Sequence, residues 1–356
     1  MKITDICTKT VTIPLVTPFK TALRTVTQIE NILVTVTTDS SLLGYGGAAP
    51  TAVITGDTLA SITGGIEHIR DNIVGMQLED AEQIFQRLNR CLIGNTSAKA
   101  AVDMAIYDLI SKSLAVPLYR LLGGMARTIE TDKTVSLDTP EKMVAESLEI
   151  LEKGFKILKV KVGGDPELDI KRLQSIQDVI GSDVMIRIDA NQGWNAKEAV
   201  QVGRELEARK INIELMEQPV QARDFAGMRY VRDNLLLPVV ADESVFSPQD
   251  ALELVTMNAV DGLNIKLMKC GGIYNALKIA AIAETAGIPC MIGSMMESHV
   301  SVCAAAHFGV SRSIIKRFDL DAPLFCKLNP AVGGISYHGS EVQFSDAPGL
   351  GIETFL

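Results

Sequence analysis

From Arg127 onward the chain repeats one unit: a short apolar run, a chemically distinctive residue at its end, then a helical stretch. The run ends fall at Lys161, Asp189, Glu217, Asp242, Lys266, Gly293 and Asp319, in steps of 24 to 28 residues. Strand followed by helix at that spacing predicts a parallel β/α array, somewhat tighter than the roughly 30 residues per unit of a typical (β/α)8 barrel, and seven or eight units fit. Pro or Ser near helix starts and Gly near helix ends punctuate the alternation. Six of the seven run ends are ionisable. One exposed carboxylate is usually a solvated loop charge, but six in register fit the C-terminal mouth of a closed barrel, where all strands converge on one site. An open doubly wound sheet gathers such residues only at its switch point.

The first 125 residues read differently. "KITDICTKTVTIPL" and "NILVTVTTDSSLLGYGG" alternate as strands around a loop "VTPFKTALRTVTQ", and from Asp57 the pattern turns helical. "SAKAAVDMAIYDLISKSL" follows Asn95, Thr96 and Ser97, which are candidate caps. An α+β unit ending near "YRLLGG" is expected.

A net charge of −9 and the lack of a basic patch disfavour nucleic acid and anionic membranes as partners. The six cysteines show no C-x-x-C pair, so reduced thiols and a cytoplasmic location are expected. No signal-peptide core and no stretch long enough to span a bilayer is present.

Lys159 and Lys161 in "ILKVKVGG" are two apart on a strand, so both ammonium groups enter one space. That crowding calls for nearby negative charge or for a neutral lysine. Asp189, Glu217 and Asp242 end three consecutive strands and offer oxygen ligands only, which suits magnesium. Asn191 in "IDANQGW" and Gln218 in "LMEQP" are placed to support them by hydrogen bonding. Lys266 in "NIKLMK" approaches from the opposite side of the barrel, so Lys161 and Lys266 can face each other across a bound carbon. One then removes a proton and the other returns one to the opposite face, with Lys159 as electrostatic helper. Proximity to a metal and another ammonium is expected to favour the neutral base. His299 and Cys303, four apart, lack further ligands and read as core packing.

These residues, with "KVKVG", "DANQGW", "EQPV", "ADES", "NIKLMKCGG", "GSMMES" and "PGLGI", resemble the enolase superfamily, muconate-lactonizing subgroup, and within it the dipeptide epimerases. The resemblance spans essentially the whole chain. It implies an α/β fold in which residues 1–125 form a capping domain with specificity loops, residues 126–325 a modified TIM barrel, (β/α)7β, and residues 326–356 a segment packing back on the cap. It implies one Mg2+ per subunit on Asp189, Glu217 and Asp242, paired bases at Lys161 and Lys266, and an enediolate intermediate. A homo-oligomer is a family expectation.

Substrate choice rests on two features. "FDLDAP" places Asp319 and Asp321 on one face of the last strand with no sequence-local cation, resembling the D-x-D that holds a dipeptide's amine. N-succinylamino acid racemisation, succinylbenzoate synthesis and cycloisomerisation, the neighbouring reactions of the subgroup, offer no such amine and would leave the two acids repelling. Arg24 in "FKTALRT" resembles the arginine that binds the side-chain carboxylate of a C-terminal glutamate. Thr134 and Ser136, on one face of the first barrel strand, and Met296 and Glu297 are expected to line the pocket. The expected activity is epimerisation of L-Ala-L-Glu to the L,D form, as in murein peptide metabolism, with a non-catalytic binding protein as the reading from another class. Gly47 departs from a glutamate frequent in relatives and leaves the second capping loop undetermined.

Overall fold

The computed structural model describes residues 1–181 and 183–356. Strand β1 (Ile3–Lys20) pairs antiparallel with β2 (Thr25–Thr38), which pairs with β3 (Leu43–Ala48). The pairing runs further than the alternation suggests. After an irregularity between Pro14 and Phe19 it resumes at Phe19–Val26 and Lys20–Thr25, so the expected 13-residue loop shrinks to a tip at residues 21–24. The Thr21 hydroxyl accepts from the amides of Leu23 and Arg24, and this local turn sets where Arg24 leaves the hairpin.

Helices α1 (Leu59–Ile73), α2 (Ala81–Arg90) and α3 (Thr96–Ser113) complete this unit. Helix α3 is buried almost all round, between β3 and the barrel. "GYGG" explains the close fit. A Cβ at Gly44 would lie 2.2 Å from the Ala105 carbonyl oxygen and one at Gly46 1.9 Å from that of Ala101, so neither position admits a side chain. Gly47 lies in the same strand and not in a loop, its missing Cβ facing Ser298 and Ser301. The expected side-chain caps of α3 are replaced. Asn95 makes no cap hydrogen bond, and the Ser97 amide donates instead to the Asp57 carboxylate.

After the short α4 (Leu118–Leu121) and β4 (Ile129–Glu130) comes an eight-stranded parallel sheet. Its strands are β5 (Lys133–Val135), β6 (Ile157–Lys161), β7 (Met185–Asp189), β8 (Ile213–Glu217), β9 (Val239–Ala241), β10 (Gly262–Lys266), β11 (Cys290–Gly293) and β12 (Ile315–Asp319), neighbours in space as in sequence. Helices α5 (Pro140–Glu152), α6 (Pro166–Gln177), α7 (Ala196–Ala208), α8 (Phe225–Asn234), α9 (Pro248–Thr256), α10 (Leu267–Cys270) with α11 (Ile273–Ala286), and α12 (His299–Val310) fill the seven crossovers. The expected punctuation holds: Asp165 and Ser247 cap helices with Pro at their first turn, and Asn195 with Glu198 forms a capping box on α7. The first and last strands are joined by the Asp132 amide donating to the Phe318 carbonyl at 3.2 Å and the Leu320 amide to the Thr131 hydroxyl at 2.8 Å.

The barrel floor is charged where such interiors are usually filled by branched apolar residues. Arg187 donates to Asp132 at 2.8 Å and to Glu214 at 2.6 Å, and Arg317 reaches the other oxygen of Glu214 at 2.6 Å. The two units are bolted together by buried polar contacts. Asp103 of α3 accepts the first amides of α11, from Ile273 at 2.5 Å and Tyr274 at 3.2 Å, and Asn31 of β2 accepts the Ser298 amide at 2.6 Å. The C-terminal stretch returns to the N-terminal unit, the Leu350 amide donating to Asp108 of α3 and Phe355 packing against Tyr45 of β3. His299 and Cys303 are buried against the Gly333 and Leu350 carbonyls, as core residues. Among the described residues no helix is long and apolar enough to cross a membrane.

Candidate active site

The register of the parallel sheet brings Lys161, Asp189 and Glu217 level at the C-terminal edge, since Lys161 pairs with Asp189 and Asp189 with Glu217. With Asp242, just past β9, one ligand oxygen from each acid lies within 4.8 Å of the others. All three are buried. Burial and then the charge of Asp189 push Glu217 up to about 7, whereas for Asp189 burial is outweighed by Lys161 and Lys159, which hold it down at about 2. Three oxygen donors that close, one of them resisting ionisation beside the others, fit a hard divalent cation.

The two lysines of β6 share Asp189, and the deeper one also reaches Glu217 and Asp319. Lys161 Nζ is 2.5 Å from Asp189 Oδ2. Lys159, deeper, lies 2.7 Å from Glu217 Oε2, 2.7 Å from Asp319 Oδ2 and 3.2 Å from Asp189 Oδ2. Across the mouth, Lys266 Nζ donates to Asp242 Oδ2 at 2.6 Å. Burial works against the Lys266 charge, but Asp242 prevails and carries its pKa up. Among the protein's own charges, then, the expected lowering by a neighbouring ammonium does not win.

Asn191 and Gln218 stand directly behind the acids. The Asn191 amide donates to Asp189 Oδ1 at 2.9 Å and its side chain to Glu243 at 3.1 Å. Gln218 accepts from the amides of Asp242 at 2.9 Å and Ser244 at 3.0 Å, fixing the turn that aims Asp242. Both residues have positive φ, 43° and 36°, a strained backbone of the kind that gathers at functional sites. Two supporting residues were not evident from the sequence. Asn264 donates to Glu217 Oε1 at 2.7 Å, and Lys269 donates to Asp242 Oδ1 at 2.5 Å. The spacing of Lys269 three beyond Lys266, one turn of the short α10, was the one sign of the second.

Above the acids opens a cleft lined by Lys161, Lys266, Asn191, Thr134, Asp319, Asp321 and Met296 from the barrel and by Phe19, Leu23, Arg24, Val53 and Ile54 from the N-terminal unit. Arg24 has no ion-pair partner among the described residues, and burial lowers its pKa. A half-buried guanidinium facing a cleft without a counter-ion suits an anionic ligand group.

Four expectations need correction. Strand β12 ends at Asp319, and Asp321 lies beyond it at the start of a 3-10 turn. Nor do the two acids repel unrelieved: Asp319 has Lys159, and Asp321 has Lys133 at 3.5 Å and the Thr134 amide at 2.7 Å. The repulsion expected with an amine-free ligand is therefore relieved from within the chain. Ser136 lies just after β5 and faces a second groove, next to Glu146, to which its amide donates. Glu297 turns away from the cleft: it accepts the Met295 amide at 2.7 Å, and burial pushes it up to about 7.

Two family models match the chain: "Mandelate racemase / muconate lactonizing enzyme, N-terminal domain" over residues 3–123 and "Enolase C-terminal domain-like" over residues 142–354. The L-Ala-D/L-Glu epimerase of Clostridium acetobutylicum is 49% identical over 354 residues, covering 99% of both chains. The solved substrate-liganded L-Ala-D/L-Glu epimerase from Bacillus subtilis superposes with a TM-score of 0.99 at 47% identity over 100% of both chains. The dipeptide epimerase from Enterococcus faecalis V583, solved with Mg and the dipeptide L-Leu-L-Tyr, gives 0.97 at 41% identity over 99% of this chain and 100% of that one.

Proposed function

The chain belongs to the mandelate racemase / muconate lactonizing enzyme family, and on that premise we propose that it is a magnesium-dependent dipeptide epimerase that inverts the C-terminal residue of L-Ala-L-Glu. One observation carries the reading: Lys161 and Lys266 enter the same cleft from β6 and β10, four strands apart in an eight-stranded barrel, each paired to a different acid of the triad.

Asp189, Glu217 and Asp242 would hold the ion, with Asn191, Gln218, Asn264 and Lys269 fixing their orientation. Bound Mg2+ offsets the negative charge that builds on the substrate carboxylate as the α-proton leaves. Lys161 Nζ takes or returns the proton on one face of the α-carbon and Lys266 Nζ on the other, which is what inversion without net redox change requires. Lys159, wedged among Glu217, Asp189 and Asp319, keeps a positive charge beneath the reacting end and stays out of the cleft. Asp319 and Asp321 bind the free amine of the first residue, and Arg24 binds the side-chain carboxylate of the second. Thr134 and Met296 border the dipeptide, while Ser136 and Glu297 support the walls from behind. A murein-derived dipeptide in the cytoplasm is the natural source of such a substrate, and the six free cysteines accord with that compartment.

The test is proton NMR in D2O with magnesium, following α-proton loss across L,L-dipeptides with N-succinyl amino acids as controls. Exchange and inversion of L-Ala-L-Glu, abolished by N-acylation, is expected. Exchange confined to the acylated amino acids overturns the substrate assignment.

A further inference from the structure

Behind the wall of the catalytic cleft lies the groove between the end of β1 and α5, and Lys133 sits in the partition. Its neighbour Thr134 faces the cleft, but Lys133 does not line it. The Lys133 stem runs through the second groove, its ammonium lies against the Phe325 ring, and Nζ comes within 3.5 Å of Asp321 Oδ2. That oxygen is already bonded to the Thr134 amide at 2.7 Å. Asp321 thus has one oxygen committed to the protein, and Oδ1 remains for a ligand. The side chains are 13% and 6% exposed, so water screens the pair poorly.

We propose that Lys133 is a specificity-setting residue that attenuates the dipeptide's ammonium site from behind by partly neutralising Asp321. This rests on the reading that Asp319 and Asp321 bind the substrate's amine. Asp319 shares its charge with Lys159, so without Lys133 the receptor's free negative charge would sit almost wholly on Asp321. A substrate ammonium at Oδ1 and the Lys133 ammonium at Oδ2 are like charges a few ångströms apart in a poorly screened wall, and they repel. The site therefore holds a free amine firmly enough to orient it and loosely enough to let both epimers leave. Thr134 holds the Asp321 rotamer through its backbone amide, so removing the Lys133 charge leaves the carboxylate in place.

The experiment compares Lys133→Met, Lys133→Arg, Asp321→Asn and the Lys133→Met/Asp321→Asn double variant, in KM and kcat for L-Ala-L-Glu at saturating Mg2+. Lys133→Met is expected to lower KM roughly three- to tenfold with kcat unchanged or lower, the size of one partly screened like-charge contact. Lys133→Arg keeps the wild-type KM, and in the Asp321→Asn background Lys133→Met shifts nothing. A KM that rises or stays put in Lys133→Met, or the same fall in the Asp321→Asn background, overturns the inference. If Asp321→Asn itself leaves KM unchanged, it is the amine-site reading that fails. Should Met not pack over Phe325, as a thermal melt would reveal, Lys133→Gln replaces it: the same fall in KM is expected, and its absence overturns the inference equally.

Discussion

The floor and the rim of the cleft are built in opposite ways. On the floor Lys161, Asp189, Glu217 and Lys266 end central strands, with Lys159 two residues inside β6 and Asp242 one residue past β9, all buried and each facing an opposite charge within 3.2 Å. On the rim, Arg24 sits on a four-residue turn, Val53 and Ile54 on the segment between β3 and α1, and Asp321 past the end of its strand. The floor is pinned by ladders on both sides. The rim is pinned by a few side-chain contacts. Chemistry that needs reacting groups placed to a fraction of an ångström belongs on the first kind of support, and choice among substrates, which needs only a complementary surface, tolerates the second.

The largest expected effect tests the floor. Lys161→Ala and Lys266→Ala should each lower the epimerisation rate by at least 10^2- to 10^4-fold, the span typical of a lost general acid or base. Exchange in D2O distinguishes their roles, since each variant should retain α-proton exchange only from the epimer whose proton faces the surviving lysine. Full epimerisation by either single variant would end the two-base account. Chelating Mg2+ should abolish exchange from both epimers.

A rim substitution should alter selectivity and spare the chemistry. Arg24→Met is expected to raise KM for L-Ala-L-Glu about 10- to 100-fold, the loss of a charge-assisted contact worth roughly 1.5–3 kcal/mol. Dipeptides with an uncharged second residue should be nearly unaffected. An equal loss with both substrate types would mean that Arg24 supports the site as a whole, and the division between floor and rim would blur.

Between these lies the joint of the two units. Asp103→Ala strips the partner from two helix-start amides of α11 and should destabilise the fold by about 1–2 kcal/mol, read as a lower thermal midpoint. Once folded, the variant should keep most of its kcat, because the floor strands do not depend on that cap.

The smallest effect concerns Glu146 in the groove behind the rim, near Lys133, Glu149 and Asp138. Burial pushes its carboxyl from 4.5 up to about 7. The folded state then binds a proton more readily than the unfolded chain, so stability falls as pH rises from about 4.5 to 7 and stays lowered above that. Glu146→Gln keeps an acceptor for the Ser136 amide. It should be more stable than the parent by up to ~1 kcal/mol at pH 8 and equal to it near pH 4.5, by denaturant titration at the two pH values.

Much of this architecture was legible because a parallel barrel has a simple grammar. A strand ends, a polar residue marks its edge, a capped helix follows, and the spacing alone places Lys161, Asp189, Glu217, Asp242, Lys266 and Asp319 at one mouth. Residues read through the period of a strand survived: the K-x-K pair does share one face, and its crowding is relieved by acids. Residues just past a strand end did not follow that period. Ser136 and Asp321 leave the strand geometry and are aimed by turns, and Glu297 is turned inward by the Met295 amide. Irregular backbone has no period from which a direction can be inferred.

The sequence by itself determined which chemistry was available, since three oxygen ligands and two opposed lysines at strand ends leave few alternatives. It could not say that Lys159 would reach Asp319 or Lys133 reach Asp321, because those pairs are separated by 160 and 188 residues and meet only when the last strand closes beside the first. Closing the barrel is a tertiary event, and it decided how much negative charge the rim has left for a ligand. Local spacing specifies which residues face inward, and only the closed sheet specifies which inward-facing charges become neighbours.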